Sequence, residues 1–412
     1  MLRLEDIEAA RGRIQDVALH TPLQAQRTFS RMTGADIKLK LENTQRTGSF
    51  KIRGATNRIR TMSQAEQEAG VITASAGNHA QGVALAAQRS GVDAMIVMPE
   101  FAPISKLNAT QSYGADVILH GEDYSDAQEK AHELAEETGR TYVHAYEDRA
   151  VMAGQGTIGL ELIEDCPELE TVVVPIGGGG LISGIATAVK ERKPDVRVVG
   201  VQAEGAETIA DSLAKGAPVH LDTVDTIADG IATGQVGENT FPIIEEYVDE
   251  FVTVSDSQIA SAIMLLLERA KTLVEGAGAV SMAAVLDEEF DYADGEVISP
   301  LLCGGNIDLN LLTTVLRRGL VERGRFVKLR TVVKDRPGAL EDFLQIVAEE
   351  GANIYEINHE RANQAIAMNA TAIDVDLETR GHEHVETILS RVRDAGFQVE
   401  VQSGPSEPDR TA

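Results

Sequence analysis

The chain has no tryptophan, two cysteines and few aromatic residues of any kind, 4% of 412. With Cys166 and Cys303 alone there is no disulfide framework, which points to a reducing compartment. Apolar runs such as residues 171–175 and 263–267 are far shorter than a membrane span. The opening Met1-Leu2-Arg3-Leu4-Glu5-Asp6 is acidic where a secretory signal would be basic and then apolar. A cytoplasmic protein without a membrane segment is therefore expected. Basic residues are scarce as well: 37 Lys and Arg stand against 65 Asp and Glu, a formal charge of −28. Such a surface repels nucleic acid and anionic membranes. It also suits a salt-rich cytoplasm, where ions screen the self-repulsion, and a halophilic adaptation is expected.

What the chain does contain is an ordinary globular mixture, 43% hydrophobic and 25% charged, long enough for two or three folding units. Short Val/Ile-rich runs at 71–74, 93–98, 117–120, 142–145, 171–176, 196–202 and 297–302 predict strands. Helical patterns at 79–89, 105–111, 126–137, 181–193, 258–269 and 309–323 alternate with them. Continuous apolar strands separated by helices predict an α/β fold of parallel sheets covered on both faces, two lobes and a cleft within residues 1–325. From 326 the pattern changes to strand 326–333, helix 338–349, strands 353–360 and 365–376, helix 384–394 and strand 398–401. That is βαββαβ, the ferredoxin-like order, over residues 326–402. Residues 403–412, rich in Pro, Ser and charge, are expected to be a disordered tail.

Four segments carry candidate chemistry. Lys51 follows a Thr47-Gly48-Ser49-Phe50 turn and heads a helical pattern; it is either a solvated helix-start charge or a desolvated amine able to attack a carbonyl. Ser75-Ala76-Gly77-Asn78-His79 lies between a strand and a helix, where small residues allow close backbone approach and the helix start favours a carboxylate; an ordinary capped helix is the plainer alternative. Gly177-Gly178-Gly179-Gly180 joins a buried strand to a helix. It lacks the Lys-Ser/Thr of a nucleotide loop and the spacing of a dinucleotide fold, so a phosphate cradle is preferred to a flexible turn. Leu301-Leu302-Cys303-Gly304-Gly305-Asn306 ends an apolar strand, where a buried structural cysteine is the usual meaning.

Together and in this order, these motifs resemble the fold type II pyridoxal-phosphate enzymes, the tryptophan synthase β-like group, and among them the threonine and serine dehydratases. The resemblance implies that Lys51 binds the cofactor aldehyde and removes the substrate α-proton, and that Phe50 packs on the cofactor ring. Asn78 would bond the ring hydroxyl, Gly177, Gly178, Gly179, Gly180 and Leu181 the phosphate, and Cys303 would face the pyridine nitrogen. Ser75, Ala76, Gly77 and His79 would receive the substrate carboxylate. The implied reaction is loss of ammonia from L-threonine to give 2-oxobutanoate, and from L-serine to give pyruvate. The racemases of the family carry serine at the position of Ala76, which favours a lyase; a serine dehydratase or racemase and a non-catalytic amino-acid sensor are the alternatives. An acidic metal site of the racemases has Glu204 here, but the later acid is displaced to Asp211, so no metal is assigned. Residues 326–402 resemble an ACT domain through Lys334-Asp335-Arg336-Pro337-Gly338-Ala339-Leu340. This implies an effector such as isoleucine or valine, or else a ligand-free dimerisation module, in a homo-oligomer that is a dimer or tetramer.

Overall fold

The structure, a computed structural model, describes residues 1–360, 367 and 369–403. It divides into two units, Met1–Asp308 and Leu309–Ala412.

The first unit holds β1 (Leu23–Ala25), β2 (Asp36–Lys40), β3 (Val71–Ala74), β4 (Ala94–Met98), β5 (Asp116–Leu119), β6 (Thr141–Tyr142), β7 (Thr171–Pro175), β8 (Arg197–Ala203), β9 (Glu250–Val254) and β10 (Val297–Pro300). One sheet has the order β1-β2-β10-β7-β8-β9 and the other β5-β4-β3-β6. Every pairing is parallel except that of β1 with β2. Strands β3 and β7 are buried at every residue, as uninterrupted apolar runs require when helices cover both faces.

The sequence pattern misplaces some elements. The expected strand at 142–145 is only Thr141–Tyr142, because the Val143 carbonyl turns to the Thr73 hydroxyl and the His79 ring instead of a neighbouring strand. The expected helix at 258–269 is Asp256–Leu265 closed by a π turn, Leu266–Ala270. Helices Arg149–Asp165 and Gly276–Leu286 were not anticipated, since both contain glycines that read as breakers. Those glycines let backbones touch: a Cβ on Gly154 would lie 2.6 Å from Gly54 Cα, and one on Gly156 2.7 Å from the Gly184 carbonyl oxygen.

The second unit opens with helix Leu309–Glu322. It continues as β11 (Phe326–Lys334), helix Ala339–Glu349, β12 (Asn353–Glu360), β13 (Ala370–Glu378), helix His382–Asp394 and β14 (Val399–Ser403). The βαββαβ order makes an antiparallel sheet, β12-β13-β11-β14. Val327, Leu329 and Val333 point alternately from β11 into a core with Phe343, Val347 and Ile388 of the two helices. Of the expected strand at 365–376, residues 365, 366 and 368 lie outside the described residues, as do 404–412 of the expected tail. Among the described residues no helix is long and apolar enough to cross a membrane.

Candidate active site

Three of the four motifs follow the carboxyl ends of parallel strands: 75–79 after β3, 176–180 after β7 and 301–306 after β10. In α/β sheets this is where a cleft can gather groups from distant parts of the chain. The fourth, the turn before helix Lys51–Arg60, is tied to the β10 loop. Phe50 N–H donates to the Cys303 carbonyl at 3.1 Å, and Gly305 N–H to that of Gly48 at 2.8 Å.

Lys51 is partly buried at the head of its helix, its Nζ 3.4 Å from the Ala145 carbonyl oxygen and 5.1 Å from the centre of the Phe50 ring. Burial pulls its amine down to about 8, against the opposing pull of Cys303 and Glu275. Two residues on, Arg53 anchors that helix through a buried charge network. Its Nε and Nη2 donate to Glu42 at 2.9 and 2.7 Å, and its Nη1 and Nη2 to Glu161 at 2.6 and 3.0 Å. Lys40 Nζ completes it, donating to Glu161 at 2.6 Å and to the Thr21 carbonyl at 2.8 Å. Burial pulls the Arg53 guanidinium down, and the Glu42 and Glu161 carboxylates outweigh it and hold it above its ordinary value.

In the β3 loop, Ser75 Oγ accepts the Gly77 N–H at 3.1 Å, and the space where a Gly77 Cβ would stand is open. Asn78 begins helix Asn78–Ser90. The His79 ring turns into the protein, its Nε2 donating to the Val143 carbonyl at 2.8 Å. Burial, helped by the Lys51 charge, pulls that imidazole down to about 3, so it is neutral.

The glycine loop is held on its outer side. Thr240 Oγ1 and Gly237 N–H donate to the Gly178 carbonyl at 2.7 and 3.1 Å. A Cβ on Gly178 would stand 2.5 Å from the Tyr146 ring, and Gly179 has φ +93° with 2.6 Å to Thr240 Oγ1, so neither position takes a side chain. The loop enters helix Gly180–Arg192, whose first N–H groups have no carbonyl within the helix to bond and face whatever anion sits there. Cys303 is buried, its Sγ donating to the Ala277 carbonyl at 3.2 Å; burial, and after it the Glu275 carboxylate, push the thiol up and keep it neutral.

The donor set fits pyridoxal phosphate: a desolvated amine, an amide, a neutral thiol and a glycine loop at a helix start. Sequence reasoning missed Glu275, which is 3% exposed and accepts a hydrogen bond from Asn78 Nδ2 at 2.6 Å. Burial, reinforced by Asp229, raises its carboxyl to about 7. Its signal was slight, an acid just ahead of the small-residue run Gly276-Ala277-Gly278-Ala279. Glu204 lies in the turn Glu204–Ala206 and Asp211 in helix Ile209–Lys215. Among the described residues no group of three or more His, Cys, Asp or Glu could hold a metal ion. In the second unit, a cavity of about 420 Å³ is lined by Asp335, Arg336, Gly338, His359 and Thr371 among others.

Residues 14–304 match the family of pyridoxal-phosphate dependent enzymes, and residues 324–395 match the ACT domain. The L-threonine ammonia-lyase of Thermotoga maritima is 47% identical over 401 residues, 97% of this chain and 100% of its own. Among solved structures, the processed form of threonine deaminase isoform 2 from Solanum lycopersicum superposes with a TM-score of 0.74 at 41% identity, over 76% of this chain and 91% of that one. Maize serine racemase superposes with a TM-score of 0.73 at 36% identity, over 77% of this chain and 98% of that one.

Proposed function

The chain belongs to the pyridoxal-phosphate dependent enzymes and carries an ACT domain, and from that premise we propose that it is an L-threonine ammonia-lyase. It would turn L-threonine into 2-oxobutanoate and L-serine into pyruvate, each with release of ammonia. The observation that carries the chemistry is the Lys51 amine, partly buried at a helix start and brought to about 8. At pH 7 about one such amine in ten is free base, against fewer than about one in a thousand for a solvated lysine. A free base here can both bond the cofactor aldehyde and take a proton from the substrate α-carbon.

When bound, pyridoxal phosphate supplies the electron sink that makes the α-carbon acidic and lets the β-hydroxyl depart. The chain's residues hold and orient. Gly177, Gly178, Gly179, Gly180 and Leu181 would receive the phosphate on backbone N–H groups, Phe50 would pack on the ring, and Asn78 would donate to the ring oxygen. The neutral Cys303 thiol would face the pyridine nitrogen, and would not force that nitrogen to keep a proton as a carboxylate would. Ser75 Oγ with the backbone of Ala76, Gly77 and His79 takes the substrate carboxylate; the His79 ring takes no part, being committed to Val143. Ala76 has no proton to give, so a proton removed by Lys51 returns only from the lysine side. That favours a lyase over a racemase, the reading that the likeness to maize serine racemase keeps in play.

We assign catalysis to residues 1–325 and effector binding to the ACT domain at 326–402, in a cytoplasmic homo-oligomer. The turn Asp335–Gly338, with one acid and one base beside a cavity, supports an amino-acid effector, isoleucine or valine. The test of the catalytic reading is threefold. Borohydride should fix the cofactor to Lys51, read by peptide mass spectrometry. L-threonine and L-serine should give the 2-oxo acids with negligible D-serine on chiral chromatography. Lys51→Ala should lose turnover by at least about 10⁴-fold. Label on another lysine, or D-serine as a major product of the unmodified protein, would overturn it.

A further inference from the structure

Behind Asn78 runs a chain of hydrogen bonds that starts at an obligate acceptor, the Thr47 carbonyl, and ends at the Glu275 carboxyl. Asn306 Nδ2 donates to Thr47 O at 2.7 Å and to Asn78 Oδ1 at 2.8 Å. Asn78 Nδ2 in turn donates to Glu275 Oε1 at 2.6 Å. Turning the Asn78 amide over would set its NH₂ against that of Asn306 and its oxygen against a carboxylate. The Thr47 carbonyl thus fixes the Asn306 amide, and Asn306 and Glu275 together fix that of Asn78, independently of how nitrogen and oxygen are told apart. They occupy the Asn78 oxygen and one of its two N–H bonds, and leave one N–H to give. Two glycines clear the space. A Cβ on Gly48 would lie 2.3 Å from Asn306 Oδ1, and one on Gly304 2.1 Å from Glu275 Oε1.

We propose that Glu275 and Asn306 are positioning residues, holding Asn78 so that it presents an N–H and never its oxygen to the ring oxygen of the bound cofactor. The proposal rests on the cofactor reading above. A donor at that place favours the ionised ring oxygen, whereas an acceptor favours the protonated one. The charged and titratable groups around Glu275 are Asp229, Lys106, Lys51 and Cys303, all unchanged in the variants below.

The experiment is a pH titration of the visible spectrum of full-length, cofactor-loaded protein, with a thermal melt on each variant. Asn306→Ala removes no charge, and it should raise the proton affinity of the ring oxygen by about threefold to tenfold, half to one pH unit. In an Asn78→Ala background the same change should do nothing. Glu275→Ala also deletes a charge, so its effect is read as the difference between the two backgrounds, again about threefold to tenfold. Glu275→Gln, which keeps an acceptor for Asn78, should recover that coupling, and it serves in place of Glu275→Ala if the latter fails to fold. Effects that simply add in both cycles would overturn the proposal. A wild-type protein with no visible band would remove the cofactor reading and this one with it, whereas a normal wild-type band with additive variants removes this one alone.

Discussion

The first unit buries a network of charges, whereas the ion pairs of the second are partly exposed. In the first, Lys40, Glu42, Arg53 and Glu161 are all buried and bonded to one another. In the second, Arg330 reaches Glu360 and Asp374, and Lys328 reaches Asp376, across a sheet face that water can wet. Burying charge is expensive and is tolerated only where every group finds partners. The first unit accepts that cost at the place where helix Lys51–Arg60 must be fixed against helix Arg149–Asp165. In the second, the pairs of Arg330 and Lys328 stay partly exposed and need no such network.

The contrast is sharpest in stability. Arg53→Ala leaves Glu42 buried without its cation and Glu161 with Lys40 alone, and should cost about 3–5 kcal/mol, with activity falling as Lys51 loses its anchor. Arg330→Ala should cost less than about 1 kcal/mol. Urea unfolding of the two variants measures both, and equal costs would erase the distinction.

Next in size is the amine itself. Lys51 has a folded value of about 8, below its unfolded value near 10.4, so between these the unfolded chain holds more protons. Stability of the cofactor-free protein should therefore rise with pH through that window; the penalty is complete below about pH 8 and gone above about pH 10.5. Lys51→Met should be more stable than wild type by roughly 2–3 kcal/mol at pH 7 and no different at pH 10.5. Melts across pH check this, and a constant offset would show that the amine is not desolvated.

Smaller still is the signal expected from the second unit. Isoleucine or valine should shift the substrate curve, and a tenfold shift needs about 1.4 kcal/mol of differential affinity between two states. Asp335→Ala should abolish the response and leave the effector-free curve unchanged. Identical initial rates with and without either amino acid would leave the unit a dimerisation role alone. The smallest contrast is global: the melting temperature should rise by a few degrees from about 0.1 to 2 M KCl as surface repulsion is screened.

The same difference governs what could be read in advance. The antiparallel unit announces itself, because β11 alternates buried and exposed residues and its turn chemistry is local. The parallel unit announces its strands by apolar runs, yet hides helices 149–165 and 276–286 behind glycines whose purpose is contact with other backbones. Motifs mark the residues proposed for the site, Lys51, Asn78, Gly177–Gly180 and Cys303. The pairing of Asn78 with Glu275, and with Asn306 at the end of the fourth motif, could not be read, because each partner lies on a remote segment: 197 residues separate Asn78 from Glu275. No local pattern encodes such a pairing.

Strand β10 has a further consequence, one of timing. It lies between β2 and β7, its Val297 paired with Asp36, so a central strand of the larger sheet is made last. At about 5–20 residues per second, β2 waits on the order of tens of seconds for its inner neighbour to leave the ribosome. Until then two strand edges in the middle of that sheet stand open. A net charge of −28 disfavours the approach of like chains, and such repulsion counts most while an edge that another chain could cover is still exposed.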